Sequence, residues 1–274
     1  MPSTAEEARQ EWRTGVGRLI SYRYLGTYSE TTGNHEAEGW ITIRRDLRGP
    51  VGLLAAPLGI ALLDTAGINV DPIAVVSPTR IDVHLFERAS DVDRVHLEGR
   101  ILREGRTQLF TESRLTDVAR PDRLIGLGST HWAVGGPNPG FDYVDNRPGV
   151  DDSPDLPPLY EAFGARRRGD GSLEIAELTD ELGRNGLHQG SFQVVPEAAA
   201  MIAAAEAAGT DRFWIEHLGT SIVARGVGAP FVTRAEVLRI AEGCAQVRVE
   251  LRAAGADDRL CSVTFCRFRL VEPK

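Results

Sequence analysis

The stretch Asn185-Gly186-Leu187-His188-Gln189-Gly190 sets Asn, His and Gln side chains among glycines and leads, through Ser191 to Glu197, into the alanine-rich segment Ala198 to Ala208. Alanine has the lowest intrinsic cost in a helix and Gly209 supplies a stop, so the sequence predicts a polar turn opening a buried helix. The first N–H groups of a helix lack partners within it, and the helix dipole places partial positive charge there. A carbonyl oxygen that turns negative during reaction would be stabilised at such an end. The same features also suit a plain turn, with His188 as a cap or packing residue.

Two carboxylates stand out by their surroundings. Asp64 interrupts the long apolar run Val51 to Gly67, and Glu197 lies directly after Pro196, just ahead of the alanines. An acid inside an apolar helix costs free energy unless it is hydrogen-bonded or held there for chemistry, and burial pushes its pKa upward. A place on the solvent edge of its helix would serve Asp64 equally well. Pro196 would kink a helix that began at Gly190, so the helix either begins later or bends.

The elements that would carry these groups follow from composition and pattern. With 274 residues, 42% hydrophobic and 26% charged, the chain can bury a sizeable core. A net charge of −8 argues against a nucleic-acid partner, because phosphate recognition needs a basic face. No apolar stretch reaches membrane-spanning length, and the charged N-terminus lacks the apolar core of a secretion signal. Cys244, Cys261 and Cys266 have no metal or redox spacing and read as reduced residues, so a cytoplasmic location is expected.

After a polar lead, Gly17 to Tyr24 and Gly39 to Arg45 read as strands, and Val51 to Gly67 as a buried helix. Thr79 to Glu87, Val95 to Arg103, Thr107 to Leu115 and Arg123 to Ala133 then read as an antiparallel meander. From Val134 to Pro158 the composition shifts to Gly, Pro, Asp and Asn, as in a linker. The order then recurs. Leu159 to Arg168 and Ser172 to Leu178 read as strands, followed by the alanine-rich helix. Phe213 to Ala224, Pro230 to Ile240, Cys244 to Leu251 and Leu260 to Val271 complete the series. Leu102-Arg103 matches Leu238-Arg239, and Arg123-Leu124 matches Arg259-Leu260, in one register. The expected fold class is therefore α+β, with two antiparallel sheets, each wrapped around a long helix and joined edge to edge as one sheet. The units are residues 1–133 and 159–274, with 134–158 between them.

At this point the chain resembles the hotdog-fold acyl-CoA thioesterases of the phenylacetate-pathway type, in a tandem or double-hotdog form. That family carries an Asn, then His-Gly-Gly at the start of the central helix, and an Asp or Glu nine positions after the His. Here Asn185, His188-Gln189-Gly190 and Glu197 fill those places in the second half. Ala55-Ala56-Pro57 and Asp64, within Leu62-Leu63-Asp64-Thr65-Ala66-Gly67, fill them in the first. The resemblance implies antiparallel helices, the N-terminus of one facing the carboxylate of the other. It implies an intact site in which Asp64 faces His188, Gln189 and Gly190, and a degraded one pairing Ala55 and Ala56 with Glu197. Asp64 would act as general base or nucleophile on a thioester, Gln189 or Gly190 N–H would hold the oxyanion, and Asn185 would orient water or substrate. Ser77 or Thr79 would assist the carboxylate.

The implied substrate is an acyl-CoA, with coenzyme A part of the substrate and no separate cofactor. A homodimer of such chains is compatible with the resemblance. A non-catalytic acyl-CoA or fatty-acyl binding protein stands as the alternative. An enoyl-CoA hydratase or dehydratase is disfavoured, because Asp145-Asn146-Arg147-Pro148 has no histidine to complete its dyad. Arg166-Arg167-Arg168 could meet phosphates but reads first as solvated surface. No nucleophile elbow, phosphate loop or metal-ligand spacing is present, and His84, His96, His131 and His217 show no partner pattern.

Overall fold

Alternation of apolar and charged residues builds most of the molecule. In Cys244–Ala253 the side chains of Ala245, Val247, Val249, Leu251 and Ala253 are buried, while Arg248, Glu250 and Arg252 between them form ion pairs on the other face. The structure is a computed structural model and describes residues 18–33, 35–63, 65, 74–137, 145–146, 149–183 and 185–271.

In chain order the elements are helix α1 (Ile20–Leu25), strands β1 (Thr27–Gly33) and β2 (Glu36–Thr42), and helix α2 (Ala55–Leu63). Strands β3 (Ala74–Leu85), β4 (Arg94–Glu104), β5 (Gln108–Asp117), β6 (Arg120–Pro137) and β7 (Asp145–Asn146) follow. Then come α3 (Leu159–Ala162), β8 (Ala165–Arg167), β9 (Leu173–Ile175), α4 (Ser191–Ala208), β10 (Phe213–Ile222), β11 (Phe231–Ala241), β12 (Cys244–Ala253) and β13 (Arg259–Leu270).

The strands make one antiparallel sheet, ordered β7-β1-β2-β4-β5-β6-β3-β10-β13-β12-β11-β9-β8. Read outward from the β3·β10 seam, β6, β5, β4, β2, β1 on one side correspond to β13, β12, β11, β9, β8 on the other. One constant offset in number relates Gln108–Asp117 to Cys244–Ala253 and the first residue of α2, Ala55, to that of α4, Ser191. Both helices pack on the same apolar core and touch each other, α4 over β10 to β13 and α2 over β2, β3, β4 and β6. Every residue of α2 is buried, as expected of a helix apolar all round. Helix α4 stops at Gly209, whose φ of 68° is the left-handed conformation that glycine adopts without a steric penalty. Among the described residues no helix is long and apolar enough to cross a membrane.

Several local expectations are corrected. The described part of Gly17 to Tyr24 forms helix α1, closed by Gly26 at φ 68°, rather than a strand. Leu159 to Arg168 divides into α3 and the short β8. Both segments are too short for periodicity to separate helix from strand. Part of the Gly- and Pro-rich stretch is also structured. Strand β6 continues to Pro137, Asp145–Asn146 pairs with β1, and Val150 donates its N–H to Tyr24 O at 3.2 Å.

Candidate functional site

The first N–H groups of α2 point at a carboxylate. Ala55 N–H donates to Glu197 Oε1 at 2.7 Å and Ala56 N–H to Oε2 at 2.8 Å, although the residues lie far apart in sequence. Helix α4 brings Glu197 there. Glu197 lies six positions after its first residue, Ser191, and α4 runs unbroken through Pro196, whose ring cannot donate to the carbonyl of Phe192. Glu197 is 2% exposed. Burial pushes its pKa up to about 7, against the pull of the two N–H bonds, so the group is poised between acid and base near neutrality.

Gln193 lies one turn earlier on the same face of α4, is fully buried, and has no partner for either amide atom among the described residues. Its Oε1 occupies the space that a side chain at Gly59 of α2 would fill, so glycine is what allows the amide to lie between the helices. An unpaired buried amide costs about 1–3 kcal/mol, which makes Gln193 a group the fold bears rather than needs. The Cys266 thiol, on β13, is pushed up by burial and further by the charge of Glu197, so it stays protonated.

A cleft of about 540 Å³ reaches Glu197. Leu54, Leu156, Pro157, Pro158, Tyr160, Val194, Met201 and Ile202 give it apolar walls, and Arg45 and Arg48 add cationic groups. Arg45 is well exposed and pairs loosely with Asp152 at 3.4 Å. Arg48 is tied to the carbonyls of Ser90 and Val92.

Of the residues expected to form the intact site, the structure describes Asn185, His188, Gln189 and Gly190. Asp64 lies outside the described residues. His188 sits at the start of α4, but its Nδ1 is 2.9 Å from Ser21 Oγ and its ring centroid 5.5 Å from that of Tyr22. Loss of water holds the His188 pKa down at about 3, so the ring is neutral. Gly190 is packed against Ser21, Phe163 and Ile60, leaving no room for a side chain at that position. Gln189 is half-buried, Asn185 is exposed, and neither lines the cleft that reaches Glu197. Ser77 and Thr79 are exposed on β3, and Thr79 Oγ1 donates to His131 O at 3.1 Å. Arg166, Arg167 and Arg168 pair with Glu161, Glu206 and Glu174.

The expected helix pairing is therefore observed at Ala55, Ala56 and Glu197, the place expected to be degraded. The two helices are also counted differently from the motif spacing. Ala55 is already the first residue of α2, whereas His188 precedes α4 by three residues, so Ala61 rather than Asp64 corresponds to Glu197. The residue that the sequence reading missed is Gln193. Its signal was a polar side chain four residues before Glu197 in an otherwise apolar turn.

No family model matches the sequence. No curated protein matches it. Solved structures do, and they define the class as the hotdog fold. A conserved protein with that fold from Alicyclobacillus acidocaldarius gives a TM-score of 0.54 at 10% identity, over 89% of this chain and 96% of its own. An acyl-CoA thioesterase II from Mycobacterium marinum gives 0.60 at 12% identity, covering 90% and 96%. An acyl-ACP thioesterase from Bacteroides thetaiotaomicron gives 0.58 at 14% identity, covering 86% and 98%. The chain has the hotdog fold of these thioesterases over most of its length.

Proposed function

We propose that the protein is an acyl-CoA thioesterase built as a double hotdog, residues 1–133 and 159–274 forming the two units, with Glu197 as its working carboxylate. The observation that carries the reading is Glu197, with a pKa of about 7, held by the Ala55 and Ala56 N–H groups at a cleft with apolar walls and arginines. The acyl chain lies along the apolar wall, and the coenzyme A phosphates meet Arg45. One N–H is released by the carboxylate and receives the thioester oxygen. Glu197 takes a proton from water as the water oxygen bonds to the carbonyl carbon, and the charge on the carbonyl oxygen rests at the end of α2. The tetrahedral adduct collapses, the C–S bond breaks, and Glu197 returns its proton to the thiolate. Gln193, one turn away, orients the water.

Both carboxylate oxygens are already hydrogen-bonded, which favours a second reading, a non-catalytic acyl-CoA binding protein. Thiol release from a panel of acyl-CoAs, with wild type, Glu197→Gln and Asp64→Ala, separates the two. Turnover lost in Glu197→Gln and kept in Asp64→Ala is expected. Saturable binding without turnover supports the binding protein, and turnover abolished only by Asp64→Ala moves the site to the other helix end.

A further inference from the structure

The sheet face opposite the helices carries a cluster that the cleft does not use. Along β3, Ile81, Val83 and Leu85 face the core, so Arg80, Asp82 and His84 face the other side. His217, opposite His84 in the β3·β10 register, joins them from the second half of the chain. Its Nε2 is 3.1 Å from Asp82 Oδ1, and its ring stacks on His84 with centroids 4.3 Å apart. One ligand atom from each of Asp82, His84 and His217 lies within 4.8 Å of the others. A tetrahedral zinc with ligand bonds of about 2.0–2.1 Å sets its ligand atoms about 3.3 Å apart. Binding would draw the three side chains closer together. Gly219 lets the Asp82 and His217 side chains lie close over the strand, since a Cβ there would come within 2.7 Å of Asp82 Oδ1 and 3.0 Å of His217 Nε2.

We propose that Asp82, His84 and His217 form a binding site for a divalent transition-metal ion such as Zn²⁺, clasping the two halves of the sheet at their seam. Two imidazoles and one carboxylate are the donor set that borderline cations take, and they leave positions open to water. The ligands come from both sides of the seam, which runs only from Arg80–Ser221 to His84–His217. Bound metal therefore ties the halves together where few backbone bonds do. Arg80 is the competitor. Its guanidinium holds both Asp82 oxygens, at 2.5 and 3.0 Å, from a half-exposed position, and it swings aside when the metal takes one of them.

The test is calorimetric titration of tag-free, chelator-dialysed protein with Zn²⁺, alongside the visible spectrum of the Co²⁺ form. Wild type is expected to bind one ion per chain. His84→Ala and His217→Ala weaken binding by roughly tenfold or more, and Arg80→Ala tightens it by removing the competing cation. Thermal unfolding checks that each variant folds, and His84→Gln replaces His84→Ala if it does not. Absence of saturable binding in wild type overturns the proposal. So does binding that the histidine variants leave unchanged, or an Arg80→Ala variant that binds no more tightly.

Discussion

Replacing Glu197 by Gln tests the site through two independent pH profiles. The folded protein holds the Glu197 proton with a pKa of about 7, against 4.5 for an ordinary glutamate. Stability from this group is full below pH 4.5 and is lost as pH rises through 7, an amount of about 3 kcal/mol. His188 acts in the opposite direction, because its pKa falls from 6.5 to about 3 on folding. Its contribution is present above pH 6.5 and is lost as pH falls through 3, about 5 kcal/mol in all. Between pH 4.5 and 6.5 the two slopes cancel, so these groups leave the wild-type profile nearly level there. In Glu197→Gln the histidine slope stands alone. The difference in unfolding free energy between wild type and variant, from urea denaturation at each pH, is expected to change by about 3 kcal/mol from pH 4.5 to 7. In the wild type, kcat/KM for an acyl-CoA rises with pH and levels off around a midpoint of about 7. The variant loses about 10²-fold or more in kcat. A stability difference that stays flat, or an activity midpoint near the ordinary glutamate value, refutes the reasoning.

Three further perturbations separate the parts of the site. Gln193→Met keeps the volume of a buried side chain that has no partner among the described residues. It should raise stability by about 1–3 kcal/mol, read as a higher Tm, while turnover falls; a lower Tm would show that the amide is paired. Ala55→Pro removes one donor to Glu197 at a helix position that tolerates proline, so circular dichroism should be unchanged while kcat drops by about 10²–10³. Arg45→Glu should raise KM for acyl-CoA in low salt and leave the corresponding acyl-pantetheine almost unaffected. Equal effects on both substrates would remove the phosphates from Arg45.

The sheet was the most legible part of this chain, and the reason is steric. Strand β12 buries every second side chain, so its sequence alternates and its register cannot slip by one residue without turning the apolar set to water. The relation of helix end to carboxylate was also legible, since the resemblance implied that Ala55 and Ala56 would meet Glu197. Which neighbours cover each end was not. Ser21, from the N-terminal α1, and Phe163, just after α3, pack against Gly190, whereas a cleft lined by Leu54 and Glu197 lies beside the start of α2. Such contacts come from short segments with no period of their own, and α1 and α3 are the segments misread as strands. The histidines were illegible for a related reason. His84 and His217 meet only because β3 and β10 pair across the seam, and no local spacing records a partner supplied by the other half of the chain.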